Sequence, residues 1–318
     1  MSHPLRRWKS AAHEVLGLLP PSVPFTPGGR QRRRVRKIHS DGELDEHLDH
    51  AAKLAGESTD LLRQYLASFA LAPPRMPNHD PFSEEYRRAQ WDLYRRIARR
   101  DAYAVDHEFS DVDVEAARIS PYPYNSGSPD QVSAQLGAYS FLVRALQLKP
   151  GARVVELGAG WGNLTLQFAM LGIDTTAVDV NPRFTQLLTE RAAGNPHLHV
   201  VVADMLEFEP QGRYDAAIFF ESFHHASDHL VMLDRLRSIV DANGVVAFAA
   251  EPIGPMPYPW GLRLDGLSLW SMRQYGWLEL GFTRRYFTQA LRRTGWHSER
   301  IASAAMGPLA DVVLARRA

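Results

Sequence analysis

The chain has 318 residues, with 36 lysines and arginines against 36 aspartates and glutamates, and no cysteine. Balanced charge gives no global positive field toward nucleic acid or an anionic membrane. The missing thiols exclude disulfides, cysteine-ligated zinc, iron–sulfur clusters and a thiol nucleophile. His13 and Glu14 interrupt the place where a signal peptide would need its apolar run, and no apolar stretch approaches a membrane-spanning length. A cytoplasmic protein without a membrane span is expected.

Residues 1–40 are rich in proline and arginine, with Arg30, Arg32, Arg33, Arg34, Arg36 and Lys37 close together. An acidic stretch follows, and opposite blocks side by side read as a solvated, flexible surface segment. From 41 to 120 the pattern is helical. Leu44, Leu48, Ala51 and Ala55 recur at helical spacing, then Leu62, Tyr65, Leu66 and Phe69, until Pro73-Pro74 stops the run. A third helix is predicted from Ser83, an N-cap type followed by Glu84 and Glu85.

The remaining residues, 121–318, read as one larger domain. Pro121-Tyr122-Pro123-Tyr124 opens a loop, and Val132, Leu136, Tyr139 and Leu142 lie on one face of the helix after it. Strands are then predicted at 153–157, 175–180, 199–203, 216–220 and 245–250, with helices at 163–171, 182–193 and 229–241 between them. These strands are unbroken apolar runs, as in a parallel sheet covered on both faces. A helix at 284–293 and strands near 298–302 and 311–315 finish the chain. The last connection is too short for a crossover helix, so one of those two strands must run antiparallel.

The first of these strands leads into Glu156-Leu157-Gly158-Ala159-Gly160-Trp161-Gly162-Asn163. Open α/β sheets bind ligands beyond the carboxyl ends of their strands, where glycine lets a ligand lie against backbone. A dinucleotide site needs G-x-G-x-x-G, but Asn163 stands at its third glycine position. Asp179 ends the second strand about twenty residues on, where a carboxylate can hold both hydroxyls of a ribose. Asp204 ends the third strand and Glu221 follows the fourth.

The motif E-x-G-x-G-x-G, with Asp179, Asp204 and Glu221 in order, resembles class I S-adenosylmethionine-dependent methyltransferases over residues 130–318. The resemblance implies a doubly wound, mostly parallel seven-stranded α/β sheet, here with an N-terminal helical region. It implies S-adenosyl-L-methionine as cofactor, held by Glu156, Gly158, Gly160, Gly162, Asp179, Asp204 and Glu221. Asp204 would face the adenine amino group and Glu221 the methionine portion. The Asn/Asp-Pro-Pro-aromatic motif of nucleic-acid amino methyltransferases is absent, and cytosine C5 enzymes need a cysteine, so no nucleic-acid partner is expected.

After the fourth strand come Glu221-Ser222-Phe223-His224-His225-Ala226-Ser227-Asp228-His229. His224 or His225 could be a general base for an acceptor hydroxyl, since imidazole titrates in the right range. They could instead hydrogen-bond backbone, or join Asp228, His229 and Glu251 around a divalent metal. Glu251, at the end of the fifth strand, is a second candidate base.

The longest insertion, between that strand and the helix at 284, carries Tyr258, Trp260, Arg263, Asp265, Trp270, Arg273, Tyr275, Trp277 and Glu279. Aromatics mixed with charges suit a pocket roof over a sugar or aromatic acceptor, with Tyr124, Trp260 and Arg263 as substrate-binding candidates. The other reading is that they pack the N-terminal helical region onto the sheet. The runs 219–225, 259–265 and 276–282 resemble bacterial methyltransferases that accompany glycosyltransferases in polysaccharide biosynthesis, which implies a sugar hydroxyl as acceptor. An O- or N-methyltransferase of secondary metabolism and a non-catalytic cofactor-binding scaffold remain alternatives. A lipid-modifying relative of cyclopropane synthases would be expected to carry a cysteine. Nothing in the sequence fixes the oligomeric state.

Overall fold

The computed structural model describes residues 35–75, 79–307 and 309–318, so most of the segment 1–40 lies outside the described residues. The chain forms two compact units. One takes residues up to Asp111 together with Gly254–Thr283, and the other takes Val112–Ile253 with Arg284–Ala318.

In the first unit the chain runs β1 (Arg36–Ile38), α1 (Asp41–Glu57), α2 (Thr59–Leu66), β2 (Phe69–Leu71) and α3 (Glu84–Ala98). It crosses to the second unit for α4 (Val114–Ile119), α5 (Pro129–Leu146), β3 (Arg153–Leu157), α6 (Asn163–Met170), β4 (Asp174–Asp179), α7 (Pro182–Ala192), β5 (Leu198–Val202), β6 (Tyr214–Phe220), α8 (His229–Ile239) and β7 (Val240–Ala249). It returns to the first for β8 (Trp260–Leu262), α9 (Gly266–Gln274) and β9 (Leu280–Phe282). The second unit then closes with α10 (Arg284–Arg293), β10 (Trp296–Ala302) and β11 (Asp311–Arg317).

Helix starts follow the capping chemistry of the sequence. Ser40 accepts from the Glu43 amide while the Glu43 side chain accepts from the Ser40 amide, a reciprocal box that fixes the first turn of α1. Ser83 caps α3, as its position predicts. Ser128 and Asn181 cap α5 and α7, each followed by a proline whose missing N–H is no loss in the first turn.

The sequence reading makes residues 41–120 helical, and the structure adds short strands. β1 pairs in parallel with β2, so Phe69 belongs to a strand rather than to the preceding helix. The insertion is not a loop either. β8 and β9 pair antiparallel around α9, every residue of which from Gly266 to Met272 is buried. The division falls after Asp111 rather than after residue 120, because Val112, Val114 and Ala117 pack on Phe184 and Leu187 of α7.

The second unit is a seven-stranded sheet in the order β10-β11-β7-β6-β3-β4-β5. β3, β4, β5, β6 and β7 run parallel, and β11 is antiparallel to both β7 and β10. This is the doubly wound, mostly parallel sheet that the alternation implies. Side chains alternate across it: Ala216 and Ile218 of β6 join a cluster with Tyr139, Leu142 and Phe168 on one face. On the opposite face Phe219, Phe223, Phe248 and Phe287 meet edge-to-face or stacked. From β3 the chain winds outward through β4 and β5, then returns to the other side of β3 for β6. That reversal opens a crevice beyond the carboxyl ends of β3 and β6, where such sheets take their ligands.

Candidate functional site

All the strand-end residues singled out in the sequence gather along this one edge of the sheet. After β3, Gly158, Gly160 and Gly162 take φ values of 78°, 50° and 69°, a region open to glycine at little cost. Their reasons differ. A Cβ on Gly158 would lie 2.5 Å from Cβ of Ser222, and one on Gly162 would lie 1.8 Å from Cδ2 of Leu188, so both allow close packing. A Cβ on Gly160 would meet nothing within 4 Å. Gly160 alone of the three faces open space, a cradle that a side chain would fill.

The four acids occupy four different environments. Glu156 lies inside β3, 3% exposed, and accepts a hydrogen bond from the Thr165 hydroxyl on the first turn of α6. Burial drives its carboxyl up to about 8, with the nearby Asp179 charge adding to the rise and the Thr165 hydrogen bond opposing it. It braces the strand against the helix. Asp179 ends β4 as expected, accepting from the Gly160 amide at 2.8 Å and the Asn181 amide at 2.9 Å. Asp204 stands two residues beyond β5 and accepts from the Leu206 amide at 3.0 Å, capping a turn. Glu221 follows β6 with a left-handed φ of 51°, unusual for a residue with a side chain. Such strain persists where the surroundings impose it, and it clusters at functional sites.

What the sequence does not reveal is the partner of Glu221. Gln135 of α5, 3% exposed, donates from Nε2 to Oε2 of Glu221 at 3.0 Å. Its own Oε1 is buried with no hydrogen-bond partner, as are Oε1 of Gln131 and Oδ1 of Asn163. The Tyr139 hydroxyl lies in the same neighbourhood; burial raises its pKa, and the charges of Glu221 and Glu156 raise it further. Orphaned buried acceptors are rare and ask for a donor.

Glu251, the second candidate base, has a side chain with 0% exposure. Oε1 accepts from the amides of Ser222 and Phe223, each at 2.8 Å. Oε2 accepts from the His224 amide at 3.2 Å and pairs with His224 Nδ1 at 2.8 Å. A carboxylate so enclosed cannot reach an acceptor; it shapes the turn. His224 is 3% exposed, and its ring lies 4.2 Å from that of the partly buried His225. His229 and Asp228 are engaged elsewhere, with Tyr286 at 2.7 Å and as the N-cap of α8. Among the described residues no group of three or more His, Cys, Asp or Glu side chains could hold a metal ion.

The substrate-binding candidates separate. Tyr124 is 44% exposed, in the turn leading into α5. An open groove of about 700 Å³, which Tyr124 does not line, runs along Gly127, Pro129, Val132 and Leu136. Trp260 and Arg263 belong to the other unit and are engaged within it. Trp260 is 5% exposed, donates from Nε1 to the Pro81 carbonyl at 2.6 Å, and accepts at its own carbonyl from Tyr86 and Gln90. Arg263 pairs with Asp265 at 3.1 Å and with the buried Glu279 at 3.3 Å. Both residues therefore have their polar partners within their own unit.

The open glycine turn after β3, Asp179 at the end of β4 and Glu221 with its Gln135 partner after β6 all stand at the carboxyl edge of the sheet. A family model described as a methyltransferase domain matches residues 133–300, more than half of the chain. The chain belongs to that methyltransferase family. It is 35% identical over 69 residues to an rRNA adenine N-6-methyltransferase of Saccharopolyspora erythraea, covering 22% of this chain and 18% of that protein. It is 24% identical over 177 residues to the cyclopropane-fatty-acyl-phospholipid synthase of Escherichia coli, covering 53% and 44%. It thus spans less than half the length of either relative. Among solved structures it is similar to a Burkholderia thailandensis 1,6-didemethyltoxoflavin-N1-methyltransferase with bound S-adenosylhomocysteine, with a TM-score of 0.44 and 21% identity over 69% of this chain and 92% of that one. Among the described residues no helix is long and apolar enough to cross a membrane.

Proposed function

We propose that the protein transfers a methyl group from S-adenosylmethionine to a hydroxyl of a small acceptor, with His225 as the general base. The observation that carries this reading is the turn held by Glu251. Three backbone amides and the His224 ring are tied to one buried carboxylate, which leaves His225 the more accessible of two imidazoles whose centroids lie 4.2 Å apart.

When bound, the cofactor supplies an already activated methyl group, so the protein's task is alignment and, for a hydroxyl, removal of a proton. The Gly160 cradle and Asp179 hold the nucleoside end. Glu251 fixes the ring of His224, with the proton on Nδ1 facing the carboxylate, and that ring in turn supports His225. His225 takes the acceptor's proton as the new carbon–oxygen bond forms. Tyr124 and the groove beside α5 form the acceptor's approach. A sugar hydroxyl is our preferred acceptor, on the resemblance to methyltransferases of polysaccharide biosynthesis. Trp260 and Arg263 add nothing to that choice, since each has a packing role.

Replacing His225 with alanine should lower kcat by about 10²–10⁴-fold while leaving cofactor affinity within a factor of two or so. His225→Ala with near wild-type kcat on a hydroxyl acceptor would refute the assignment of the base. Methylation of amines or lipids with nucleotide sugars and glycans inert would refute the acceptor and spare the base.

A further inference from the structure

The seven residues of β6 separate the crevice from the amino edge of the sheet, about 20 Å away. Arginines gather at that far edge. Arg213 stands just before β6, Arg237 in the last turn of α8 and Arg317 at the end of β11. Arg213 donates from Nη1 to the Arg237 carbonyl at 2.5 Å. Arg317 donates from Nη2 to the same oxygen, and to the Val240 carbonyl at 2.7 Å. Two guanidinium groups from different elements therefore stand side by side on one carbonyl at the C-terminus of α8. The Arg237 guanidinium turns toward the corner between α10 and β10, where its Nε and Cζ would lie 3.6 Å from a Cβ on Gly295.

A helix C-terminus carries about half a unit of negative charge, which one cation offsets. Here it faces two, and the carboxylates nearby are engaged elsewhere. Asp215 accepts from the Arg153 amide and Asp241 from the Asn243 amide, while Asp234 meets Arg237 at 4.0 Å with both side chains exposed. Among the described residues no carboxylate pairs with Arg213 or Arg317. A guanidinium also has five N–H groups to place. Arg213 uses Nη1 alone and Arg317 Nη2 alone, and Nε of Arg317 is buried with no partner. The surplus at this edge is of donors and of positive charge, so what completes it is an anion rich in acceptors. One guanidinium already fills a carboxylate in a bidentate pair. Two adjacent ones suit a phosphate group, with its larger charge and additional oxygens.

We propose that Arg213 and Arg317 form a binding site for a phosphate group, on the edge of the sheet opposite the methyl-transfer crevice, with Arg237 at its rim. S-adenosylmethionine has no phosphate, so the site serves a second ligand, either a soluble phosphate ester or the head group of an anionic lipid.

Calorimetric titration of inorganic pyrophosphate into the full chain tests the site at low ionic strength, where charge pairs are least screened. The wild-type chain should bind it saturably at one site. Arg213→Gln and Arg317→Gln should each weaken that binding by about tenfold or more. Arg213 is exposed and its replacement leaves the α8 carbonyls to Arg317, so it stands in if Arg317→Gln does not fold. Arg285→Gln removes the same charge from an exposed position at the start of α10 and should leave binding unchanged. Sedimentation with phosphatidylcholine vesicles containing phosphatidic acid separates the two sources. Capture of the wild-type chain but not of Arg213→Gln supports the site with a lipid head group as its ligand. Pyrophosphate binding without capture supports it with a soluble ester. Binding of neither probe would overturn the proposal, as would equal losses in Arg213→Gln and Arg285→Gln, or binding that survives both Arg213→Gln and Arg317→Gln.

Discussion

Two stretches of this protein bring charged, amide and aromatic side chains together, and they resolve in opposite ways. Along the sheet edge of the second unit, Gly160 faces open space, and Gln131, Gln135 and Asn163 keep buried oxygens without partners. In the segment Gly254–Thr283, the Arg263 guanidinium is matched by Asp265 and Glu279, Trp260 by the Pro81 carbonyl, and the Tyr258 hydroxyl by the Leu262 carbonyl. The second stretch looks more like a binding site in the sequence, because aromatics and charges are dense there. The first is the better candidate because it lies at the carboxyl ends of the strands, where such sheets take their ligands; the second also buries Trp270 Nε1 without a hydrogen-bond partner. Density of chemistry is a weaker sign of a site than its place on the sheet.

The comparison can be broken by substitution. The largest stability effect should come from Arg263→Ala, which leaves the buried Glu279 carboxylate without its cation. A loss of about 3–5 kcal/mol is expected in chemical denaturation, with KM for any acceptor unchanged. A raised KM with unaltered stability would restore Arg263 to the acceptor pocket.

Glu156 gives a smaller effect, and one that depends on pH. Its folded-state pKa lies near 8, above its ordinary value. Between about 4.5 and 8 the unfolded chain has lost this proton and the folded chain keeps it, so unfolding releases a proton. The stabilising contribution is full below the unfolded pKa and disappears as pH rises through the folded one. Wild-type stability should therefore fall by up to about 1.4 kcal/mol per pH unit from this group, and level off above pH 8. Glu156→Gln does not titrate, so its stability relative to wild type should climb between pH 5 and 8. A difference that stays flat across that range would show that the carboxyl is ionised in the folded protein.

Much of the sheet was legible because strands such as β6 and β7 carry continuous apolar runs, and helices α5, α7 and α8 begin at serine, asparagine and aspartate caps. Arg284–Arg293 has the bounds its pattern predicts, and the short final connection gives the antiparallel β11. The three-residue strands were not legible, because β1, β2, β8 and β9 are too short for a period of two to emerge. The membership of Gly254–Thr283 was hidden too. It depends on pairings such as Tyr86 and Gln90 with the Trp260 carbonyl, across more than 160 positions of sequence. Within the site, glycines and acids announce themselves by motif spacing. Gln135 does not, because a glutamine inside a helix carries no local signal until Glu221 is seen beside it. Glu251 was noticed for its position, but its part in holding the histidine turn needs the coordinates of four donors.

The most direct test of the central claim is calorimetric titration of S-adenosylhomocysteine into Gly160→Val and Arg263→Ala, with circular dichroism to establish that each is folded. A Cβ at Gly160 has no atom within 4 Å, and valine there adds about 1–2 kcal/mol of backbone strain while filling the cradle. The account predicts no measurable binding by Gly160→Val and wild-type affinity for the folded fraction of Arg263→Ala. Wild-type affinity in a folded Gly160→Val, or binding lost only in Arg263→Ala, would contradict it.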